Sequence, residues 1–439
     1  MKQYLIVSII VIALAGCESY LDVKPNKAID TPESLESVEA LLDNSESLNY
    51  FPTLSVVQGD DFFADETAIS SMELLHQNFY LWSPNPLQPD DLVFDWRDCY
   101  NQVQIANIAL EGLESIGDVG SKSKELEGTA LFYRAHAYFN LSTLFLEGPN
   151  LEESGLNIRI PVRNSTAMVL KPELADREEI RDLIRNDLIQ AAELLPERPA
   201  YLSRPSKQAA FALMARVYLD WEEYGPAKEA AEETIRLGGE LMNFKELKPS
   251  ATYPIPSFNS EIIWLARIGG TSYFSSQSAF QMAAELLDLY SEDDLRKALF
   301  FVTRPSGFVN FRGSYLSGRP LFGGLSINEA YLIYAEASVR SGQLEEGSEA
   351  INFLLRNRMK SGWEGIDFAD EFQALQLILE ERRKELPFRG LRWSDLRRLN
   401  KDERFQVTLS REFDGNRYDL TPDSEKYVLP IPARELSFY

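Results

Sequence analysis

Two loop-rich stretches of the chain combine aromatic rings with carboxylate and hydroxyl groups. The first, from Tyr50 to Tyr100, holds ten aromatic residues in 51 positions, about twice the average of the chain, interleaved with prolines and aspartates. In the second, Tyr273, Phe274 and Tyr315 lie among serines and glycines. Ring faces can stack on the C–H face of a pyranose, while carboxylates and amides accept hydrogen bonds from its hydroxyls. This composition predicts a sugar-binding site between the two loop sets.

Within the first stretch, the segment from Tyr80 to Asn85 (YLWSPN) is the strongest candidate. A turn held by Pro84 could present the indole of Trp82 and the amide of Asn85 to one ligand. The predicted ligand-binding residues are Tyr80, Trp82, Asn85, Tyr273, Phe274 and Tyr315. Each ring also has a competing interpretation, in which it packs a loop onto a helix and belongs to the core.

Residue types that serve metal or nucleophilic catalysis are scarce. Cys17 and Cys99 are the only cysteines of the sequence, and His76 and His136 are the only histidines. A zinc site would therefore depend mostly on carboxylates, and no motif supports a Ser–His or Cys–His pair. We expect no cofactor and no transition metal, while calcium on the acidic loops stays open. Sequence distance cannot place two carboxylates across a cleft, as glycoside hydrolysis requires.

Helices must position these loops. Apolar residues recur at intervals of three and four from Cys99 to Leu113 and from Leu126 to Leu144, which predicts a helical hairpin with Cys99 in its core. A third helix is predicted from Ile180 to Leu195. From Ser206 to Gly239, small residues are spaced as in tetratricopeptide repeats, and part of this pattern recurs 120 residues later.

Internal repetition of this kind indicates a stacked helical scaffold. We predict a mainly all-α fold, a right-handed tetratricopeptide-like helical-repeat scaffold with long irregular loops and a few short strands. The expected domains are a signal peptide over residues 1–16 and a single domain over 17–439. The helical repeats are expected at about 96–146, 176–239, 325–360 and 370–400, with loop-rich insertions at 46–95 and 241–324.

The stretch from Leu377 to Asn400 is rich in positive charge, with six arginines and one lysine between Arg382 and Arg398. One helix is predicted to end before Pro387, Gly390 permits a turn, and a second helix is predicted from Arg392 to Leu399. In a chain of net charge −24, we expect these cations to pair with acidic faces of neighbouring helices. We call the stretch the clasp. The same acidic balance argues against nucleic acid as a partner.

The first sixteen residues have the pattern of a lipoprotein signal peptide. Lys2 precedes an almost entirely apolar run from Tyr4 to Ala15, which at 12 residues is too short to span a bilayer. The run closes with the sequence Leu-Ala-Gly-Cys, which ends at Cys17 and resembles a bacterial lipobox. That motif implies lipidation of Cys17 by acyl chains such as palmitate, and attachment of the mature chain to a membrane.

Four further motifs follow one another along the chain. They are the helix sequence from Phe132 to Leu141, the sequence from Tyr331 to Ala337, the arginine-rich sequence from Glu381 to Arg398, and the proline-rich phrase from Val428 to Leu436. Together with the lipobox, they resemble the RagB/SusD family of nutrient-binding outer-membrane lipoproteins. Agreement in order at separate points makes the resemblance specific.

The resemblance implies a non-enzymatic lipoprotein of the outer membrane, facing the cell exterior, that captures oligosaccharide (glycan) fragments. It also implies a partner, a SusC-like TonB-dependent transporter to which the ligand is delivered. Starch-binding members of the family use a tryptophan with an asparagine three residues on, as in Trp82 and Asn85. Capture of peptides by the same architecture, and glycoside hydrolysis, stay open as alternatives.

Overall fold

Helices form most of the chain in the computed structural model, which describes residues 32–166, 172–270, 274, 276 and 280–436. The predicted signal peptide, Cys17 and Tyr273 lie outside the described residues. In chain order the α-helices are α1 (Leu35–Leu42), α2 (Ser45–Leu48), α3 (Leu54–Val57), α4 (Glu66–Ser70), α5 (Leu74–Tyr80), α6 (Phe94–Ile116), α7 (Ser121–Phe145), α8 (Arg177–Leu194), α9 (Lys207–Asp220), α10 (Tyr224–Arg236), α11 (Ala284–Leu287), α12 (Leu295–Phe300), α13 (Ile327–Arg340), α14 (Leu344–Arg356), α15 (Glu371–Glu385), α16 (Arg392–Leu399) and α17 (Ala433–Leu436).

The strands are short, and each pairs with one other strand. They are β1 (Tyr50–Phe51), β2 (Phe62–Phe63), β3 (Ile160–Val162), β4 (Glu173–Ala175), β5 (Ile262–Trp264), β6 (Arg267–Ile268), β7 (Gln281–Met282), β8 (Phe301–Thr303), β9 (Val309–Phe311), β10 (Leu325–Ser326), β11 (Leu409–Phe413) and β12 (Asn416–Leu420). The predicted fold class, mainly helical with a few short strands, is confirmed.

The helices pack in antiparallel neighbours, as the apolar spacing predicts. Helices α6 and α7 form the first hairpin, with Cys99 fully buried between them, and α8 packs on α7. A buried ion pair, Arg134 to Asp187 at 2.7 Å, ties α7 to α8. Helix α8 begins with a capping box, in which Asp176 and Glu179 satisfy backbone N–H groups at the helix start. The repeat pairs α9–α10 and α13–α14 stack through α10 and α13.

The clasp joins this scaffold to the first loop-rich stretch. Helix α15 ends at Glu385, and the turn contains Gly390 at φ +76°, where a residue with a side chain would be strained. Helix α16 then spans Arg392–Leu399, the predicted bounds. Arg398 pairs with Glu336 of α13 at 2.9 Å, and Arg392 pairs with Asp60 at 2.6 Å. The prediction of internal pairing with acidic neighbours is confirmed for five of the seven cations, whereas Arg389 and Arg397 have only neutral acceptors among the described residues.

Two strand pairs connect the loop-rich stretches to each other. Strand β1 pairs in parallel with β6, and β2 pairs antiparallel with β7. Because β1 and β2 belong to the first stretch and β6 and β7 to the second, these pairs fix the two loop sets side by side. Among the described residues, no helix has both the length and the apolar character needed to cross a membrane.

Candidate ligand-binding cleft

A cleft of about 610 Å³ lies where the two loop-rich stretches meet. The first stretch supplies one wall, which includes Tyr50, Glu73, His76, Phe94 and Asp98. The second stretch supplies the other, which includes Arg267, Gly269, Phe274, Arg319 and Leu321. The cleft thus has the setting predicted from the sequence, between the two loop sets, but most of its lining residues are different from those predicted.

Strand pairing brings the two walls together. In the β1–β6 pair, Tyr50 lies opposite Arg267, and the N–H of Gly269 donates to the carbonyl of Phe51 at 3.0 Å. A Cβ atom at position 269 would overlap the hydroxyl of Thr53 and the ring of Tyr50. Glycine is required there because the backbone of one wall runs directly against side chains of the other.

A buried carboxylate holds the floor of the cleft. Asp95 accepts hydrogen bonds from the hydroxyl of Tyr50, from the N–H of Thr53 at 3.0 Å and from the N–H of Leu54 at 2.7 Å. Burial raises the pKa of Asp95, against the opposing effect of these hydrogen bonds, and burial also raises the pKa of Tyr50. The network fixes β1 relative to the start of α6.

Phe94 presents an exposed ring in the cleft. It is the first residue of α6 and is 50% exposed, and the guanidinium of Arg97 lies 4.5 Å from its ring centroid. Phe274, on the facing wall, is partly buried and packs on Phe280 at a centroid distance of 5.0 Å. Tyr50 is only 8% exposed. A sugar ring that enters the cleft therefore meets Phe94 as its main aromatic surface.

Polar groups line the same cleft as this ring. His76 lies 3.6 Å from Glu73, and burial lowers the pKa of His76 although the Glu73 carboxylate opposes the shift. The neutral imidazole offers one donor and one acceptor. Asp98 pairs with Arg97 at 2.6 Å, and Arg267 and Arg319 contribute donors from the other wall. A ring face flanked by donors and acceptors matches the two surfaces of a pyranose.

The predicted residue Trp82 is 3% exposed and lies at a different place. Its Nε1–H donates to the carbonyl of Gln58 at 3.1 Å, and the guanidinium of Arg411 lies 4.0 Å from its ring centroid. Its edge lines a separate, mainly apolar pocket of about 510 Å³ together with Pro84, Ile158 and residues 428–431. Asn85 is exposed but does not line the cleft.

Tyr80 and Tyr315 are core residues in this structure. Tyr80 is 2% exposed, and its hydroxyl accepts from the N–H of Ala64 at 3.0 Å. Tyr315 is completely buried, and its hydroxyl donates to Glu261. Neither ring has a face on which a sugar could stack here. The structure therefore corrects the prediction that Tyr315 and the Tyr80–Asn85 segment face each other across a bound sugar. Tyr80 is the last residue of α5 and Tyr315 lies in a loop, and tertiary contacts cover both rings, which composition does not reveal.

Phe94, which sequence reasoning missed, carried a usable signal. It lies two residues before Trp96, and residues at i and i+2 point to different sides of a helix. Trp96 is 3% exposed and packs on Phe145, so Phe94 must point away from that core. Reading the two rings together on one helix would have identified the exposed one.

His136 and Cys99 are buried in the core, whereas His76 lines the cleft. Burial lowers the pKa of His136 to about 3, and burial raises the pKa of Cys99. Within the part of the chain that the structure describes, no group of three or more His, Cys, Asp or Glu residues is arranged to hold a metal ion.

Comparison with protein families gives two matches at separate parts of the chain. Residues 19–219 match a family described as starch-binding and associating with the outer membrane, and residues 327–438 match the SusD family. SusD-like protein P2 of Formosa agariphila is 26% identical over 411 residues, which cover 78% of this chain and 77% of that protein.

Solved structures share the fold over nearly the full length of the chain. A SusD superfamily protein from Bacteroides thetaiotaomicron has 21% identity and a TM-score of 0.74, with 92% of this chain and 98% of that chain covered. A putative sugar-binding protein from Bacteroides vulgatus has 22% identity and a TM-score of 0.74, with 93% and 98% covered. A laminarin-binding SusD-like protein has 20% identity and a TM-score of 0.67, with 93% and 98% covered.

Proposed function

This chain belongs to the SusD/RagB family, and from that premise we propose that it captures oligosaccharides in the cleft between its two loop-rich stretches, without catalysis. One observation carries the proposal. The half-exposed ring of Phe94 lies in a cleft of about 610 Å³ among carboxylate, imidazole and guanidinium groups. Stacking on the ring and hydrogen bonds at the sugar edge are the interactions through which proteins hold pyranoses.

Affinity for a single oligosaccharide should be modest. Hydrogen bonds to sugar hydroxyls replace hydrogen bonds to water, so their net contribution is small. A stacked ring adds about 1 to 2 kcal/mol, by analogy with aromatic pairs and their buried area. Modest affinity suits a protein that must release its ligand to a transporter, and a SusC-like TonB-dependent transporter is the partner that the family membership suggests.

Phe94→Ala tests the cleft directly. The substitution should weaken oligosaccharide binding about 5- to 30-fold, because it removes the stacking surface. Ligands would be found on an array of oligosaccharides and peptides and then titrated by calorimetry. The matched control is Phe353→Ala, since Phe353 is 46% exposed on α14 and does not line the cleft.

Two outcomes would reject the proposal. Unchanged affinity of Phe94→Ala for every glycan found would place the ligand elsewhere, and binding of peptides alone would favour peptide capture. Trp82→Ala serves as a second comparison. Because the indole of Trp82 is buried, this variant should lose stability while the affinity of its folded fraction survives. Release of shorter sugars from the ligand would contradict the absence of catalysis.

Membrane attachment forms the second part of the proposal. We assign it to lipidation of Cys17, on the strength of the lipobox pattern and of family membership. Cys17→Ser should leave folding and glycan binding unchanged and shift the protein from the membrane fraction to the soluble fraction. Retention of the variant in membranes after a high-salt wash would contradict a lipid anchor. Protease accessibility on intact cells would then test whether the protein faces the exterior.

A further inference from the structure

We propose that the cleft continues into a pocket that binds an anionic substituent of the oligosaccharide, a sulfate ester or a uronate carboxylate. The inference rests on the proposed function, because it names the class of glycan that the same cleft would take. The pocket, called the arginine pocket below, has a volume of about 330 Å³ and is lined by Arg304, Arg312 and Arg319. It shares Phe274, Arg319 and Leu321 with the cleft.

Acidic residues are missing from the described lining of this pocket. Besides the arginines, the polar lining consists of hydroxyl and amide side chains, which are Ser250, Thr252, Tyr253, Ser276 and Asn310. No ion pair joins any of the three arginines to a described carboxylate. The hydroxyls of Ser250, Thr252 and Tyr253 can donate to an anion, and the described lining contains no carboxylate that would compete with that anion for the arginines.

The sequence has the same bias over a longer range. Residues 295–328 include the basic residues Arg296, Lys297, Arg304, Arg312 and Arg319 but no aspartate or glutamate. The whole chain has 68 acidic residues in 439, so a segment of 34 residues would contain about five acidic residues at the average composition. Arg296 is neutralised in the core by Asp294, Glu381 and Glu385, so the excess positive charge near the pocket is carried by Arg304, Arg312 and Arg319. In a chain of net charge −24, most of the surface repels anions, and this local excess is an exception.

Neutral acceptors orient two of the arginines without neutralising them, namely backbone carbonyls for Arg312 and a side-chain amide for Arg304. Arg312 donates to the carbonyls of Ala251 at 2.9 Å and Phe301 at 3.0 Å, among others, and Arg304 donates to the side chain of Asn310 at 2.9 Å. Burial lowers the pKa of Arg312, and repulsion from Arg304 lowers it further. Two fixed, partly buried cations therefore lie near each other, and a bound anion would relieve their repulsion.

Arg319 connects this cationic pair with the cleft. Its side chain is exposed, and it lines both the cleft and the arginine pocket. The planar fork of a guanidinium matches the paired oxygens of a carboxylate or sulfate. Since Phe274 also lines both cavities, a sugar in the cleft could direct a charged substituent towards Arg304 and Arg312. This continuity favours an anionic glycan over a small free anion.

The test compares matched ligands on the full-length protein. Laminarihexaose and its sulfated derivative would be titrated by calorimetry, and so would xylohexaose and its glucuronate-substituted derivative. The anionic member of a pair should bind about tenfold more tightly than the neutral one, and its advantage should fall steeply with added salt. The sulfated and the uronate arms distinguish the two sources of negative charge.

The double variant Arg304→Gln with Arg319→Gln should abolish this preference. Arg304→Gln alone, at a residue that lines the arginine pocket but not the cleft, should weaken the preference and leave binding of the neutral member within about twofold of wild type. Arg319→Lys keeps the charge without the fork and should retain part of the preference. The control is Arg236→Gln, because Arg236 is an exposed arginine of α10 that lines neither cavity.

Four other results would contradict the anionic-glycan inference. Equal affinity for neutral and anionic members would overturn the inference and leave the proposed function intact. A preference that survives the double variant would also overturn it. Absence of binding to every ligand would overturn both proposals. Inorganic sulfate that binds as tightly as the sulfated hexasaccharide would show a site for a small ion rather than for a glycan.

Discussion

The clasp and the arginine pocket use the same residue type in opposite surroundings. In the clasp, Arg382 pairs with Asp395, Arg392 pairs with Asp60, and Arg398 pairs with Glu336. In the arginine pocket, Arg304, Arg312 and Arg319 have no ion pair with a described carboxylate. Most of the charge in the clasp is therefore neutralised within the fold, and charge in the pocket is left for a ligand.

The difference shows where the chain places its acidic residues. Asp395 lies within the clasp itself, whereas Asp60 comes from the first loop-rich stretch and Glu336 from α13. The two long-range pairs fasten α16 to a loop through Asp60 and to a neighbouring helix through Glu336. A pocket that accepts an anion must instead lack carboxylates, because any nearby carboxylate would compete with the ligand for the guanidinium groups.

Arg397 shows that lack of a carboxylate partner is not sufficient to make a binding site. It belongs to the clasp, is fully buried, and donates to the carbonyls of Thr143 and Leu146. Burial lowers the pKa of Arg397 to about 10, although Asp220 and Glu147 oppose the shift. No cavity opens beside it among those described, whereas Arg304 and Arg312 line one. A cavity beside the guanidinium groups therefore distinguishes Arg304 and Arg312 from Arg397.

The largest expected effect comes from breaking the clasp. Glu336→Gln removes the charge that faces Arg398 and Arg340, which lie 2.9 Å and 3.0 Å from it. Because Glu336 and Arg398 are buried, the variant should lose about 3 to 5 kcal/mol of unfolding free energy, as for a broken buried ion pair. Denaturant titration at pH 7 measures the loss.

A surface pair provides the control for that prediction. Glu346 of α14 pairs with Lys228, and its side chain is 42% exposed. Glu346→Gln should cost no more than about 1 kcal/mol, because solvent screens the pair. Equal losses in Glu336→Gln and Glu346→Gln would contradict the view that the clasp depends on buried charge.

A smaller effect, with a defined pH window, follows from the ionisation of Glu336. Burial alone would raise the pKa of Glu336, but Arg398 and Arg340 outweigh it and lower the pKa from 4.5 to about 2. A lowered pKa in the folded state contributes stability that is present above pH 4.5 and is lost as the pH falls towards 2. The contribution is about 3 kcal/mol, at about 1.4 kcal/mol per pKa unit.

The difference in unfolding free energy between wild type and Glu336→Gln should therefore shrink as the pH falls from 5 towards 2. Denaturant titrations at several acidic pH values would follow it. A difference that stays constant across this range would show that the loss at pH 7 arises from packing and not from charge. The same experiment on Arg319→Gln should show no such convergence, since Arg319 has no described carboxylate partner.

The scaffold and the clasp could be predicted from the sequence because their signals are local. Pro387 and Gly390 mark the turn, and the apolar spacing after it gave the bounds of α16. The β11–β12 hairpin was missed although Asp414 and Gly415 mark a tight turn, because its strands lack apolar alternation and are mostly exposed.

The candidate site could be predicted only in its location. Aromatic composition identified the loop sets that form the cleft, but whether a given ring is exposed depends on contacts from distant parts of the chain. The Trp82 indole is covered by Gln58 and Arg411, which lie 24 and 329 positions away. Phe94 and the run without acidic residues around Arg312 are signals that lie in the sequence itself. They become informative once neighbouring residues and charges are considered together.

The smallest expected effect on stability comes from Arg319→Glu. This variant places a carboxylate beside the cations of the arginine pocket, as Asp60 and Glu336 are placed beside the cations of the clasp. Arg319 is exposed, so its replacement should change the unfolding free energy by no more than about 0.5 kcal/mol. Binding of sulfated or uronate-bearing oligosaccharides should nevertheless be lost, because the new carboxylate occupies or repels the anion position. Denaturant titration and calorimetry on this one variant measure both quantities. A loss of stability above about 1 kcal/mol, together with unchanged binding of the anionic ligands, would show that Arg319 serves the fold and would remove the contrast between the two regions.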